Sequence, residues 1–327
     1  MPNLETQYMG LKLKNPIIVA SSGLTNSVEK IKDLENAGAG AVVLKSIFEE
    51  QINNEVSHLI NRDPQKSYPE AEDYIWNYTR NHNIIRHINL LTEAKKEVEI
   101  PIIASINCMT ATEWTLFAKD FENAGADAIE LNLFFVPTSR SKSSQEIEKL
   151  YLKIISEVKK NVKIPISVKI GYYYTNLLAM ADKLMANGAS ALVLFNRFYE
   201  PDIDIEKLEI TSSEVFSSPA DIRRSLRWIG LISAQLPKVE IAASTGIHDG
   251  EAVIKQLLAG AQVVQVCSSV YINGSQVIQG MLSDLNAFMK KNNFKKIEDF
   301  RGRLSYKNIP DPMLYERAQF MKYFSGK

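Results

Sequence analysis

Short apolar runs alternate along the chain with amphipathic stretches in a regular order. One family of runs comprises Asn15-Pro16-Ile17-Ile18-Val19-Ala20-Ser21, Ile100-Pro101-Ile102-Ile103-Ala104-Ser105, Ile164-Pro165-Ile166-Ser167-Val168-Lys169 and Val239-Glu240-Ile241-Ala242-Ala243-Ser244. A second family follows a Gly-Ala phrase: Asn36-Ala37-Gly38-Ala39, Asn123-Ala124-Gly125-Ala126, Asn187-Gly188-Ala189 and Ala259-Gly260-Ala261. Each phrase leads through apolar residues to a polar one, namely Lys45, Asn132, Asn196 and Ser268. Interleaved, the two families predict eight strands, at 17–20, 41–44, 102–106, 128–131, 166–170, 191–195, 241–243 and 263–266. A helix-like segment follows each. Unbroken apolar runs suit strands covered on both faces. Eight βα units with a worn βαβα repeat predict an α/β fold, a closed (β/α)8 TIM barrel.

Two segments interrupt the pattern, after the second and sixth strands. Residues 46–80 are polar, contain Arg62-Asp63-Pro64 and Ser67-Tyr68-Pro69, and show no clear period. They read as a long loop, of the kind that serves as a lid. Residues 198–217 are rich in acids and β-branched residues and read as an inserted hairpin. Helix starts are marked by Ser27, by Ser218 before Pro219, and by Asp249 before Gly250. The stretch 291–327 reads as a tail packed on the barrel, and residues 1–327 as one domain.

Composition narrows the classes. With 38 basic and 38 acidic side chains among 327 residues the net charge is zero, which points to neither nucleic acid nor an anionic membrane as partner. No apolar run approaches the roughly 20 residues that span a bilayer, and the opening Met1-Pro2-Asn3-Leu4-Glu5-Thr6 has no apolar signal region. Cys108 and Cys267 cannot form a disulfide framework and fit a reducing cytoplasm. A cytoplasmic protein acting on a small-molecule substrate is expected.

Barrels of this kind keep their chemistry at the C-terminal ends of the strands. There the sequence places Lys45 and Lys169, two ammonium groups too costly to bury unpaired. They predict either a bound anion or ring, or a plain rim ion pair with Glu49, Glu50 or Glu130. Asn107, Asn132 and Asn196 end three further strands, and three amides at one mouth can meet a planar polar molecule. Ser244-Thr245-Gly246 and Ser268-Ser269 follow the last two strands, where such barrels often hold phosphate. Asp249 and Gly250 open a helix beside them. A flavin joins a polar ring and a phosphate tail in one molecule. His58, His82, His87 and His248 show no ligand spacing, so no metal site is expected. Cys108 and Cys267 read as small packing residues.

These residues resemble the dihydroorotate dehydrogenase family, especially its soluble class 1 branch, over roughly residues 3–304. The matching pieces are Gly10-Leu11-Lys12-Leu13-Lys14-Asn15-Pro16, Ala41-Val42-Val43-Leu44-Lys45-Ser46, Glu130-Leu131-Asn132-Leu133, Val168-Lys169-Ile170, Ser218-Pro219-Ala220, Ser244-Thr245-Gly246-Ile247 and Ile297-Glu298-Asp299-Phe300-Arg301-Gly302. The resemblance implies a TIM barrel that binds FMN and oxidises dihydroorotate, working as a homodimer. It implies Lys45 and Lys169 at the flavin ring. Ala20, Ser21, Asn107, Asn132 and Asn196 would line ring or substrate. Ser244, Thr245, Gly246, Ser268 and Ser269 would hold the phosphate. Ser46, Ser217 and Ser218 complete the expected cofactor set, and Lys45, Asn132 and Asn196 the expected substrate contacts.

The chain departs from the family where the family continues with Ser-Cys-Pro-Asn and uses the Cys as general base. Here stands Phe134-Phe135-Val136-Pro137. Phe135 cannot move a proton, so the catalytic residue is unassigned, with Tyr173, Ser139 and Tyr68 as conceivable replacements. Arg197 stands after Asn196 where a small Ser is usual. The leading expectation is an FMN-dependent oxidoreductase that moves a hydride between a small carbonyl-bearing molecule and flavin N5. Two other readings stay open: a Schiff-base lyase or aldolase using Lys169 or Lys45 on a phosphorylated substrate, and a flavin-binding accessory protein without turnover.

Overall fold

The structure is a computed structural model that describes residues 2–61, 69–108 and 111–317. A hairpin that the sequence pattern did not flag comes first: β1 (Thr6–Tyr8) pairs antiparallel with β2 (Leu11–Leu13). Its two-residue turn holds Met9 at φ 55° and Gly10 at φ 78°, the positive-φ pair that matches the twist of tight hairpins.

The barrel follows. In chain order it runs β3 (Ile17–Val19), α1 (Val28–Asn36), β4 (Ala41–Val43), β5 (Ile47–Phe48), α2 (Glu49–Asn61), α3 (Pro69–Glu97), β6 (Ile102–Asn107), α4 (Ala111–Asn123), β7 (Ala128–Leu133) and α5 (Ser144–Asn161). It continues with β8 (Ile166–Ile170), α6 (Leu177–Ala186), β9 (Ala191–Leu194), the hairpin β10 (Pro201–Asp204) and β11 (Glu209–Ser212), α7 (Ile222–Gln235) and β12 (Glu240–Ser244). The last elements are α8 (Gly250–Ala259), β13 (Val263–Val266), α9 (Ser268–Asn273), α10 (Val277–Lys291) and α11 (Met313–Glu316). Strands β3, β4, β6, β7, β8, β9, β12 and β13 are parallel neighbours, and the β4–β6 pairing closes the ring. This is the eight-stranded barrel that the pattern predicts.

Alternation along each strand sorts the core into two layers. Residues such as Ile17, Val19, Val168 and Ile170 point outward into the helices. Ile18, Val43, Ile103, Ala128, Val193, Ala242 and Val263 point inward and pack together on Tyr8, Met9 and Leu13. The N-terminal hairpin therefore plugs the lower end of the barrel.

The Gly-Ala repeat has one physical meaning. Gly38, Gly125, Gly188 and Gly260 all sit at φ between 91° and 121°, just after a helix. In each, the glycine N–H bonds back three residues, to Glu35, Glu122, Met185 and Leu257. The following Ala N–H bonds back five, to Leu34, Phe121, Leu184 and Gln256. That is the Schellman turn, which favours glycine because a side chain resists the left-handed backbone.

The expected long loop at residues 46–80 is corrected. Most of it is helix, the whole of α2 and the start of α3, while Arg62, Asp63, Pro64, Ser67 and Tyr68 lie outside the described residues. The Asn, Tyr, Thr and His residues of this stretch are mediocre helix formers, so local reading undervalues it. Tertiary contacts supply what propensity lacks. The Arg80 guanidinium donates to Glu113 at 2.7 Å and lies over the Phe117 ring, and Trp76 Nε1 donates to Asn53. The 198–217 insertion is the β10–β11 hairpin. The tail packs on the barrel as far as it is described: Phe300 is buried, and Gly302 and Leu304 bond the end of α8. No helix among the described residues is long and apolar enough to cross a membrane.

Candidate active site

The inward layer changes character towards the C-terminal ends of the strands. Above the apolar floor, alternation brings in Ser105, Glu130, Ser167, Lys169 and Gln265, all buried. The Lys169 ammonium donates to Gln265 Oε1 at 3.1 Å. Gln265 Nε2 donates in turn to Glu130 Oε2 at 2.5 Å, and the other Glu130 oxygen lies 3.8 Å from Lys169. Of the two readings offered for Lys169, the ion pair with Glu130 is present, yet it does not stand alone: Lys169 also lines a cavity at the mouth. A buried cation with a partner below and open space above is a fixed charge facing a ligand site.

That cavity has a volume of about 250 Å³. Of the residues singled out in sequence, Ala20, Ser21, Lys169, Asn196, Ser217, Ser244, Thr245, Gly246 and Ser268 line it. Two cations, Lys169 and Arg197, lie on its walls, and no carboxylate does among the described lining residues. The β12 exit is strained: Thr245 has φ 76°, rare for a β-branched residue, and Gly246 follows at φ 78°. A Cβ on Gly246 would meet the Ile222 nitrogen at 2.2 Å, so this turn packs directly on the start of α7. Hydrogen bonds tie the three phosphate-type loops together. The Ser217 N–H donates to Ser268 Oγ at 3.0 Å, the Gly246 N–H reaches Ser217 Oγ, and Ser217 Oγ meets His248 Nε2 at 3.0 Å.

The remaining candidates lie beside the cavity. Ser46 is buried, with its hydroxyl 2.7 Å from Ser105 Oγ and 3.0 Å from Ser21 Oγ. Lys45 is half-buried close to His87. Burial holds the His87 imidazole below its ordinary range, and the Arg86 and Lys45 charges add to that. Asn107 ends β6, half-buried. Asn132 lies within β7, and its amide oxygen is buried without a hydrogen-bond partner. Ser218 caps the turn before α7 through Asp221, and Ser269 is fully buried in α9 with its hydroxyl unpartnered. Asn107 and Asn132 thus stand at the ends of β6 and β7, Asn132 in register with Lys169, while Asn196 lies in the cavity wall.

Other lining residues escaped the sequence reading. Gln265 and Cys267 line the cavity with Phe216 and Tyr271. A glutamine inside the apolar run Val263-Val264-Gln265-Val266 was the available signal. Burial pushes the Cys267 thiol up, which disfavours a thiolate. Arg197 is held by Asp221 at 3.3 Å and by the carbonyls of Glu214 and Val215. It therefore ties the inserted hairpin to the cavity.

Phe135 does not line this cavity. Its ring stacks on Tyr151 with centroids 5.5 Å apart, and its N–H donates to the Tyr151 hydroxyl. It belongs to a second, larger cavity of about 510 Å³. Tyr173 lines that one too, and Ser139 is exposed and bonded to Ser141. Neither stands in the Lys169 cavity, and Tyr68 lies outside the described residues. No group of three or more His, Cys, Asp or Glu that could hold a metal occurs among the described residues.

Comparison with known proteins completes the picture. A family model described as dihydroorotate dehydrogenase matches residues 3–289. The chain is 31% identical over 314 residues to a protein of Thermoplasma volcanium called dihydroorotate dehydrogenase B (NAD(+)), catalytic subunit, covering 92% of this chain and 98% of that one. A Thermoplasma acidophilum protein of the same description is 27% identical, with 92% and 99% covered. A putative dihydroorotate dehydrogenase A (fumarate) of Aeropyrum pernix is 26% identical, with 92% and 97% covered.

Proposed function

The chain belongs to the dihydroorotate dehydrogenase family, a family of flavin-dependent oxidoreductases acting on a CH–CH bond, and on that premise we propose that the Lys169 cavity is its FMN site. The observation that carries the reading is the fixed Lys169 ammonium, anchored by Gln265 and Glu130 and facing open space at the barrel mouth. The residues present fit the group. Lys169 and Arg197 suit an anionic ligand, Ser244, Thr245, Gly246 and Ser268 supply a phosphate cradle, and the unpartnered Asn132 oxygen is a buried acceptor in need of a donor. The cavity, about 250 Å³, falls just below the roughly 300–1,000 Å³ of ligand sites, so it would enclose only part of a bound flavin. FMN, when bound, supplies the hydride acceptor.

The chain's own residues then have separate tasks. Lys169 holds positive charge towards the ring, where negative charge accumulates on reduction. Asn196, with Asn132 in register with Lys169, offers amide contacts to ring or substrate, and Lys45 stays with them as a proposed substrate contact. The cavity wall carries no carboxylate and no histidine among the described residues. No side chain is therefore assigned the proton from the substrate carbon. We read the flavin half as kept and the substrate half as rebuilt, with dihydroorotate one candidate among small carbonyl-bearing molecules. The Schiff-base reading is not favoured, because Lys169 is already engaged by Gln265 and Glu130.

The test is a visible spectrum of the purified protein, followed by anaerobic addition of dihydroorotate. Oxidised-flavin bands are expected. Loss of a placed base predicts bleaching about 10²–10⁴-fold slower than in a base-equipped relative. Fast bleaching would refute the rebuilt substrate half. A colourless protein that FMN cannot reconstitute would refute the flavin site itself.

A further inference from the structure

The larger cavity, about 510 Å³, opens where β7, β8 and β9 end and α5 begins. Aromatic side chains build it. Phe198 stacks on Phe134 with centroids 3.9 Å apart and on Tyr173 at 5.3 Å, while Phe135 stacks on Tyr151. The wall depends on a glycine. A Cβ on Gly171 would meet the Phe198 ring at 2.5 Å and the Phe134 ring at 3.3 Å. At the opening, Tyr173 and Tyr199 stand 70% and 69% exposed.

Charge separates this cavity from the other. Its charged lining residues are Glu148 and Glu200, with no Lys, Arg or His among the described ones. Glu148 pairs only loosely with Lys183, at 3.7 Å on the surface. Ring faces are themselves electronegative, so they add to the carboxylates. The Lys169 cavity is lined by the opposite sign. One ligand cannot suit both.

We propose that the aromatic cavity is a second ligand site, which takes a flat aromatic molecule of bicyclic size carrying no negative charge. The ring stacks supply the flat surfaces such a molecule packs against, and the two glutamates exclude carboxylates and phosphates. Phe134 and Phe135 are thus part of a built site. The inference does not depend on FMN in the Lys169 cavity.

Three bicyclic probes test it on the full chain, by calorimetric titration: cationic N-methylquinolinium, neutral naphthalenemethanol and anionic naphthoate. The cation and the neutral probe are expected to saturate below millimolar concentration. Naphthoate should bind about tenfold more weakly or not at all, because its carboxylate would face Glu148 and Glu200. Ile147→Trp, which fills the cavity from α5, and Tyr173→Ala at the exposed opening should each weaken the favoured probes about tenfold. Circular dichroism and the visible spectrum should stay unchanged in at least the exposed Tyr173→Ala variant. Absent saturation, equal binding of naphthoate, or binding indifferent to both variants would overturn the proposal. So would probes that bind only when a self-associated form is dissociated, since a second copy would then own the cavity.

Discussion

At the scale of single residues, the mouth turns on two contrasted positions. Lys169 is legible in sequence, because an ammonium at a strand end needs a reason. Its partners were not, because Glu130 and Gln265 are far apart in the chain and meet only when the barrel closes. Gly246 was legible as a glycine in a phosphate-type turn. Its steric role was not, since it depends on the Ile222 backbone folding against it. Replacing Gly246 by Ala adds a Cβ at φ 78° and 2.2 Å from that backbone. We expect a loss on the order of 3 kcal/mol, seen as a lower urea midpoint together with lost flavin. Unchanged midpoint and full flavin content would contradict this account of the turn.

Among elements, the eight barrel strands were legible to within two residues at each end, because burial on both faces leaves unbroken apolar runs, while β1, β2 and β5 were not. Helix α2 falls wholly, and α3 in its first part, within the stretch expected as a loop. The C-terminal half of α3 keeps a helical period, and its N-terminal half is held by long-range contacts that no local window contains. The Arg80–Glu113 pair is the clearest of these, with side chains only 14% and 9% exposed. Arg80→Ala leaves a nearly buried carboxylate alone. The expected cost is about 3–5 kcal/mol. Adding Glu113→Gln should recover part of it, read from urea denaturation of both variants. If Arg80→Ala alone costs nothing, contacts elsewhere on α2 and α4 hold α3 in place.

For the whole molecule, barrel closure and the order of elements were legible, while the surface was not. The inserted hairpin carries Ile203, Ile205, Leu208 and Ile210, all at least 61% exposed. A cluster of apolar side chains in water is a contact surface in want of a partner. We propose it as the contact surface of the homodimer that the resemblance implies. Sedimentation should give a dimer for the unmodified chain and a monomer for the Ile205→Lys, Leu208→Lys double variant. A monomeric unmodified chain would end the proposal. The sequence could not place this surface, because exposure is set by the finished fold.

The four Schellman turns all lie where helices lead back into strands, at the rim opposite both cavities. Architecture and chemistry are therefore written in separate parts of the text. Mutational drift at one rim is checked by backbone geometry that only glycine satisfies with ease. The other rim carries the side chains that line the two cavities. A lineage with this layout can exchange residues at the mouth and still inherit the same barrel. The chain is a chassis whose specificity is replaceable and whose frame is not.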